Sequence, residues 1–174
     1  KKDLAIHKDI SDADQSVTNM SLSTTAKDQK SGTKQVTLSR TAKIDDTVSY
    51  KGAIRGTSYK INGTLMNKST GEAAVDGDGK LITASGVFTA GSATGTATVT
   101  FTFNTNGMAG GAYVAFEEVY ETTGGKETLW GTHMDLNDEA QTVYVPSIST
   151  NLIDEDSQTN YTYIRDNVKA HDLV

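Results

Sequence analysis

An offset of 126 residues relates the two ends of this 174-residue chain. Laid over residues 127–174 without a gap, residues 1–48 match at fourteen positions, among them His7/His133, Asp9/Asp135, Asp12/Asp138, Gln15/Gln141, Thr24/Thr150, Asp28/Asp154, Lys43/Lys169 and Asp46/Asp172. Chance would give roughly three at ordinary residue frequencies. The offset predicts a tandem array seen through a window cut out of register. Residues 1–20 read as the C-terminal end of one repeat, 21–146 as a complete repeat, and 147–174 as the start of the next.

Within the complete repeat the periodicity is two rather than 3.6, which predicts strands and no helix of any length. Met20, Leu22, Thr24 and Ala26 share one face, and Ile44, Asp46, Val48 and Tyr50 share another. A polar turn at Asp28–Lys34 separates these two segments. Residues 58–68 and 80–89 form the next pair, joined by a loop rich in Gly and Asp. In TATVTFTF, residues 96–103, Ala97, Val99, Phe101 and Phe103 point inward and the threonines outward. Residues 113–120, 129–133 and 141–145 complete the set. Seven or eight short strands at this spacing predict an all-β fold, an immunoglobulin-like sandwich.

Polar groups interrupt the apolar faces. Thr24, Asp46, Glu117 and Gln141 each stand where a core residue belongs, and His133 falls in line with Leu129 and Gly131. A buried carboxylate left unpaired costs several kcal/mol, so two in one core require a reason. One reading is a hydrogen-bonded network that fixes strand register. The other is chemistry, because a hydroxyl, an amide, a histidine and two acids are the groups that acyl transfer between side chains requires.

Composition narrows the partners. A net charge of −6 is unsuited to nucleic acid or an anionic membrane, whose binding surfaces are basic. With no cysteine there is neither a disulfide nor a thiolate nucleophile. No apolar run reaches the length of a membrane span, and no cofactor or metal site is expected. Asp76-Gly77-Asp78-Gly79 is similar to a fragment of a calcium loop, but a hairpin turn accounts for it better.

Several stretches resemble the VaFE repeats of Gram-positive surface proteins: LSTTAKD, KIDDTVSYKG, NGTLMNKSTGE, VTFTFNTNGMAGGAYVAFEE and THMDLNDEAQTVYVP, with Val-Ala-Phe-Glu at residues 114–117. They are also similar to the immunoglobulin-like shaft domains of adhesins that form an internal Thr–Gln ester bond. That resemblance implies Thr24 as nucleophile and Gln141 as acceptor, joined with loss of ammonia. It implies Asp46, Glu117 and His133 as the catalytic groups, with Asp46 and Glu117 sharing one proton. Such a module modifies itself once and is not an enzyme. It implies a cell-wall-anchored, extracellular shaft or fibre whose partners are adjacent repeats of the same protein, and a host or surface ligand at a distal tip. In the flanking repeats the equivalents are His7, Gln15, Thr150 and Asp172, whose partners lie outside this chain. From Gln141 to Thr150, as from Gln15 to Thr24, is only nine residues. Alternative readings are a module that binds a ligand through its loops, with 67–80 the foremost candidate, and a Lys–Asn isopeptide using Lys43, which Lys169 matches. A hydrolase built on His133 and Glu117 is disfavoured, because parity buries those groups away from substrate.

Overall fold

Alternating burial along the first two strands sets the architecture. A computed structural model describes residues 20–162, 164 and 166–174; His7 and Gln15 lie outside them. In β1 (Ser21–Asp28), Thr24, Ala26 and Asp28 are buried, and in β2 (Ala42–Lys51) every even-numbered residue from Ala42 to Tyr50 is buried. The two strands pair antiparallel, with Thr24 opposite Val48 and Ala26 opposite Asp46. Thr24 and Asp46 therefore project from the same face of one sheet, a diagonal step apart.

The remaining strands are β3 (Ser58–Asn67), β4 (Thr83–Thr89), β5 (Thr94–Phe103), β6 (Gly111–Thr123), β7 (Lys126–His133) and β8 (Thr142–Val145). Beyond them lies a separate two-stranded hairpin, β9 (Asn151–Asp154) with β10 (Ala170–Leu173). The first sheet runs β1-β2-β5; the second runs β4-β3-β6-β7, with β8 joined to β6 as well. These two layers make the sandwich that the alternation predicts, and the described residues contain no helix.

Glycines on the second sheet mark where the layers close most tightly. A Cβ at Gly63 would stand 2.6 Å from the Phe101 ring, and one at Gly131 would stand 3.1 Å from Leu22. Gly63 is also the cross-strand partner of Glu117. The ring of Phe101, fully buried, thus fills the place beside Glu117 that a side chain at position 63 would take. At the other end of the core Tyr50 stacks on Phe88, and Tyr59 packs against both Phe88 and Trp130.

The loop at 67–80 is an ordered turn. Asp76 Oδ1 accepts the amides of Asp78 and Lys80, and Asp76 Oδ2 accepts that of Asn104. Its oxygens are engaged by backbone, which fits a hairpin turn.

Replacing Gly63 with alanine should therefore destabilise the domain by about 1–3 kcal/mol, the range for overpacking a close-fitted core. Denaturant melts of that variant against the parent chain measure it directly.

Candidate functional site

Four polar side chains meet between the sheets. Thr24 and Asp46 come from β1 and β2 in one layer, Glu117 from β6 in the other, and Gln141 from the turn that enters β8. Asp46, Glu117 and Gln141 are fully buried and Thr24 is 4% exposed. Glu117 is the centre of the group: it interacts with Thr24, Asp46 and Gln141 alike. The amide nitrogen Nε2 of Gln141 donates to Glu117 Oε2 at 2.5 Å.

The seam between β1 and the 140–141 segment brings Thr24 alongside. Ala26 N–H donates to Ala140 O at 3.0 Å, and Ala115 N–H donates to Gln141 O at 3.2 Å. One backbone bond thus ties β1 to the segment that enters β8, and a second ties that segment to β6, beside the four polar groups.

Five buried atoms here have no ordinary hydrogen-bond partner among the described residues: Thr24 Oγ1, both carboxyl oxygens of Asp46, Glu117 Oε1 and Gln141 Oε1. A buried polar atom left unsatisfied costs about 1–3 kcal/mol. Five of them in one spot are comparable with the entire folding free energy of an ordinary domain. The four side chains crowd one another, yet these atoms are not paired in ordinary hydrogen-bond geometry.

Protonation follows from the same crowding. Burial, and then the neighbouring Asp46 carboxyl, push Glu117 up to about 10. Burial also raises Asp46, but Glu117, the charges of His133 and Lys34, and the Thr25 amide all pull it back. Two carboxyls this close in a dry core hold a single proton between them, and burial works upward on both.

His133 stands at the rim. It is the cross-strand partner of Glu117, yet its ring is about one-fifth exposed and its Nε2 bonds Asp138 Oδ2 at 2.7 Å. It shares no inward face with Leu129: a bulge at Trp130 breaks the parity, pairing Leu129 with Tyr120 and leaving it half exposed. Burial works upward on Asp138, but the His133 bond and the Ala140 amide more than offset it and hold the carboxyl low. Asp138 is a residue that periodicity missed, because it lies in the loop before β8. The available signal was the pair His7/Asp12 repeated as His133/Asp138.

Neighbours outside the cluster fall where parity assigns them. Asp45 accepts from Gln29 and Thr100 on the outer face, and Glu118 accepts from the Tyr120 hydroxyl. Lys43 is exposed on β2, directed away from the core that an isopeptide would need. Thr150 and Lys169 are exposed, and Asp172 lies on β10.

The raised acid gives a sign for pH dependence. A carboxyl whose proton is held more tightly in the folded state adds stability below its unfolded value of 4.5, and that stability is lost as pH rises toward about 10. A Thr24→Ala variant, which keeps both acids in place, should lose stability steadily across that window, and Glu117→Gln in the same background should flatten the loss. Denaturant midpoints at stepped pH read both.

No curated protein matches the chain. Solved structures similar to it include two of a bacterial adhesin from Mobiluncus mulieris containing intramolecular disulfide, isopeptide and ester bond cross-links, in space groups P21 and P1. Each is 16% identical, with TM-scores of 0.54 and 0.55, and the match covers 78% of this chain and 60% of the adhesin chain. At that identity the likeness is one of fold. Residues 20–145 match the T-Q ester bond containing domain, a span that holds all four clustered side chains, and the chain belongs to that family.

Proposed function

We propose that this chain is a module of an extracellular cell-surface adhesin, a shaft element tied shut by an ester that it forms itself between Thr24 and Gln141. The observation that carries this reading is the cluster of unsatisfied buried atoms, supported by the family and by the adhesins of like fold.

The reaction condenses the Thr24 hydroxyl with the Gln141 carboxamide. Holding the two in attack geometry supplies about 7–11 kcal/mol of the barrier as effective concentration. Asp46, the ionised member of the pair, takes the hydroxyl proton as Oγ1 adds to the amide carbon. Glu117, whose carboxyl lies 2.5 Å from Nε2, gives its proton to that nitrogen as the C–N bond breaks. Ammonia leaves. The acid pair begins and ends with one proton between its two members. His133, steadied by Asp138, stands at the rim beside the pair. Each chain reacts once, so the chemistry is self-modification. The product is dry, and exclusion of water protects it from hydrolysis.

The bond joins the first strand to the last and closes a loop of more than a hundred residues. In the chain-entropy account such a loop contributes about 4–5 kcal/mol. Tension entering at Thr24 crosses directly to Gln141 and bypasses the sandwich, as befits a load-bearing shaft in a chain without cysteine.

The same reading extends to residues 147–174 as the opening of a following repeat, with Thr150 its nucleophile and Asp172 its acid. Local geometry supports it. Asp28 pairs with Ile44 and Asp154 with Ala170, each partner 126 residues on. Asp28 N–H donates to Thr33 O and Asp154 N–H to Thr159 O, both at 2.8 Å. Gln29 N–H donates to Lys43 O at 2.9 Å and Glu155 N–H to Lys169 O at 3.0 Å. Gly32 and Gln158 both adopt positive φ, 68° and 55°, at equivalent points in the turn. Equal spacing would repeat the tie along a fibre.

Intact mass and peptide mapping test the cross-link. The parent chain should weigh one ammonia less than its sequence and yield a branched peptide joining β1 to the strand of Gln141. Hydroxylamine should open it, which would set an ester apart from an isopeptide. Gln141→Ala should keep its full mass and melt about 10–20 °C lower, the shift that 4–5 kcal/mol implies for a domain of this size. A parent chain of unreduced mass would refute the reading.

A further inference from the structure

We propose that Lys34 is a positioning residue for ester formation, clamping β1 against the segment that carries Gln141 and presenting its charge to Asp46. The inference rests on the cross-linking function proposed above and adds to it a group that neither the family match nor the strand pattern assigns.

The geometry is specific to the seam. Lys34 Nζ donates to the carbonyl of Ala26 at 2.7 Å and also to the carbonyl of Ala140. Ala26 lies two residues beyond Thr24, and Ala140 immediately precedes Gln141. Between these two segments the backbone makes the bond from Ala26 N–H to Ala140 O. The ammonium supplies the donor that the Ala26 carbonyl would otherwise take from a neighbouring strand. Its own backbone is equally fixed: Tyr144 N–H donates to Lys34 O at 2.8 Å, and Val36 N–H donates to Tyr144 O at 2.8 Å. The turn after β1 is thereby strapped across β8, and its lysine returns to the point where the two reacting strands meet.

Electrostatics gives this clamp a second effect. Burial, with the charge of Lys27, lowers the proton affinity of Lys34 overall, and the charges of Asp46, Asp138 and Glu139 offset only part of that. The groups acting on Asp46 include Glu117, His133, Lys34 and the Thr25 amide. The Lys34 ammonium thus bears on Asp46, whereas the influences on Glu117 come from burial, Asp46, Gln141 and Thr24. This asymmetry separates base from acid within the pair. A neutral side chain at position 34 should raise the pH at which Asp46 becomes an effective base.

The test follows cross-linking as the chain folds. Protein recovered unfolded and unreacted is diluted from denaturant into buffers of stepped pH. Release of ammonia and intact mass report the chemistry, while fluorescence of Trp130, the sole tryptophan, reports folding. Lys34→Met should recover the Trp130 signal yet cross-link more slowly at acid and neutral pH. Its acid limb should move alkaline by about one unit, a tenfold lower rate at fixed pH below that limb. Lys34→Arg should restore most of the rate and the original midpoint. If Lys34→Met does not fold, Lys34→Gln removes the charge while keeping an N–H donor and should show the same displaced limb. A neutral variant that reacts at the parent rate with an unmoved midpoint overturns the proposal. So does one slowed equally at every pH and not rescued by arginine. A parent chain that releases no ammonia would instead defeat the cross-link itself, so the two failures are distinct.

Discussion

Two carboxyl groups confined in a space without water govern this molecule. Asp46 and Glu117 come from opposite layers, and neither has a cation in direct contact within the core. They are tolerable together only because one keeps its proton, and the surroundings decide which. Phe101 covers Glu117 from the position that Gly63 leaves open, whereas the charges that reach the pair, from His133 and Lys34, bear on Asp46. In the proposed reaction the sandwich would thereby turn a destabilising burial into an acid and a base beside an amide.

The same placement accounts for strand order. A bond between neighbouring strands of one hairpin would constrain little, because the turn between them already does so. Thr24 and Gln141 lie near opposite ends of the domain sequence and are adjacent in space only because β8 returns along β6 to meet the free edge of β1. Joining them removes the most chain freedom that one cross-link within this sandwich can remove. In the proposed shaft it would also place the tie where force enters and leaves. The fold and the bond thus share one topological fact: the first strand and the last are neighbours.

Much of this was legible in the sequence, and the reasons are local. Thr24, Asp46 and Glu117 sit in strands whose alternation is uninterrupted, and Gln141 continues the inward parity of Val143 and Val145, so each amounts to one polar letter on an apolar face. His133 was harder to place. The extra residue at Trp130 shifts parity within β7, so Leu129 gives no guide to the side on which His133 lies, and register with Glu117 decides it instead. Asp138 and Lys34 belong to loops, where no period applies. Asp138 could have been found from its repeated spacing to a histidine. Lys34 left no such trace: the position 126 residues on is Asn160, and its role depends on a fold that brings two distant carbonyls within reach of one ammonium.

That the reacting groups belong to the scaffold itself removes a compromise that enzymes must make. A catalyst with turnover needs a mouth for substrate, and whatever admits substrate also admits water, which would hydrolyse an ester and solvate the acids that made it. In the proposed reaction nucleophile and electrophile arrive by folding, so the layers can close completely over them. Thr24, Asp46, Glu117 and Gln141 can all be buried because nothing has to enter afterwards and only ammonia has to leave. The burial that makes the four side chains costly as separate groups is the same burial that makes their product durable. Unfolding is then the event that readmits water, and the cross-link itself opposes unfolding.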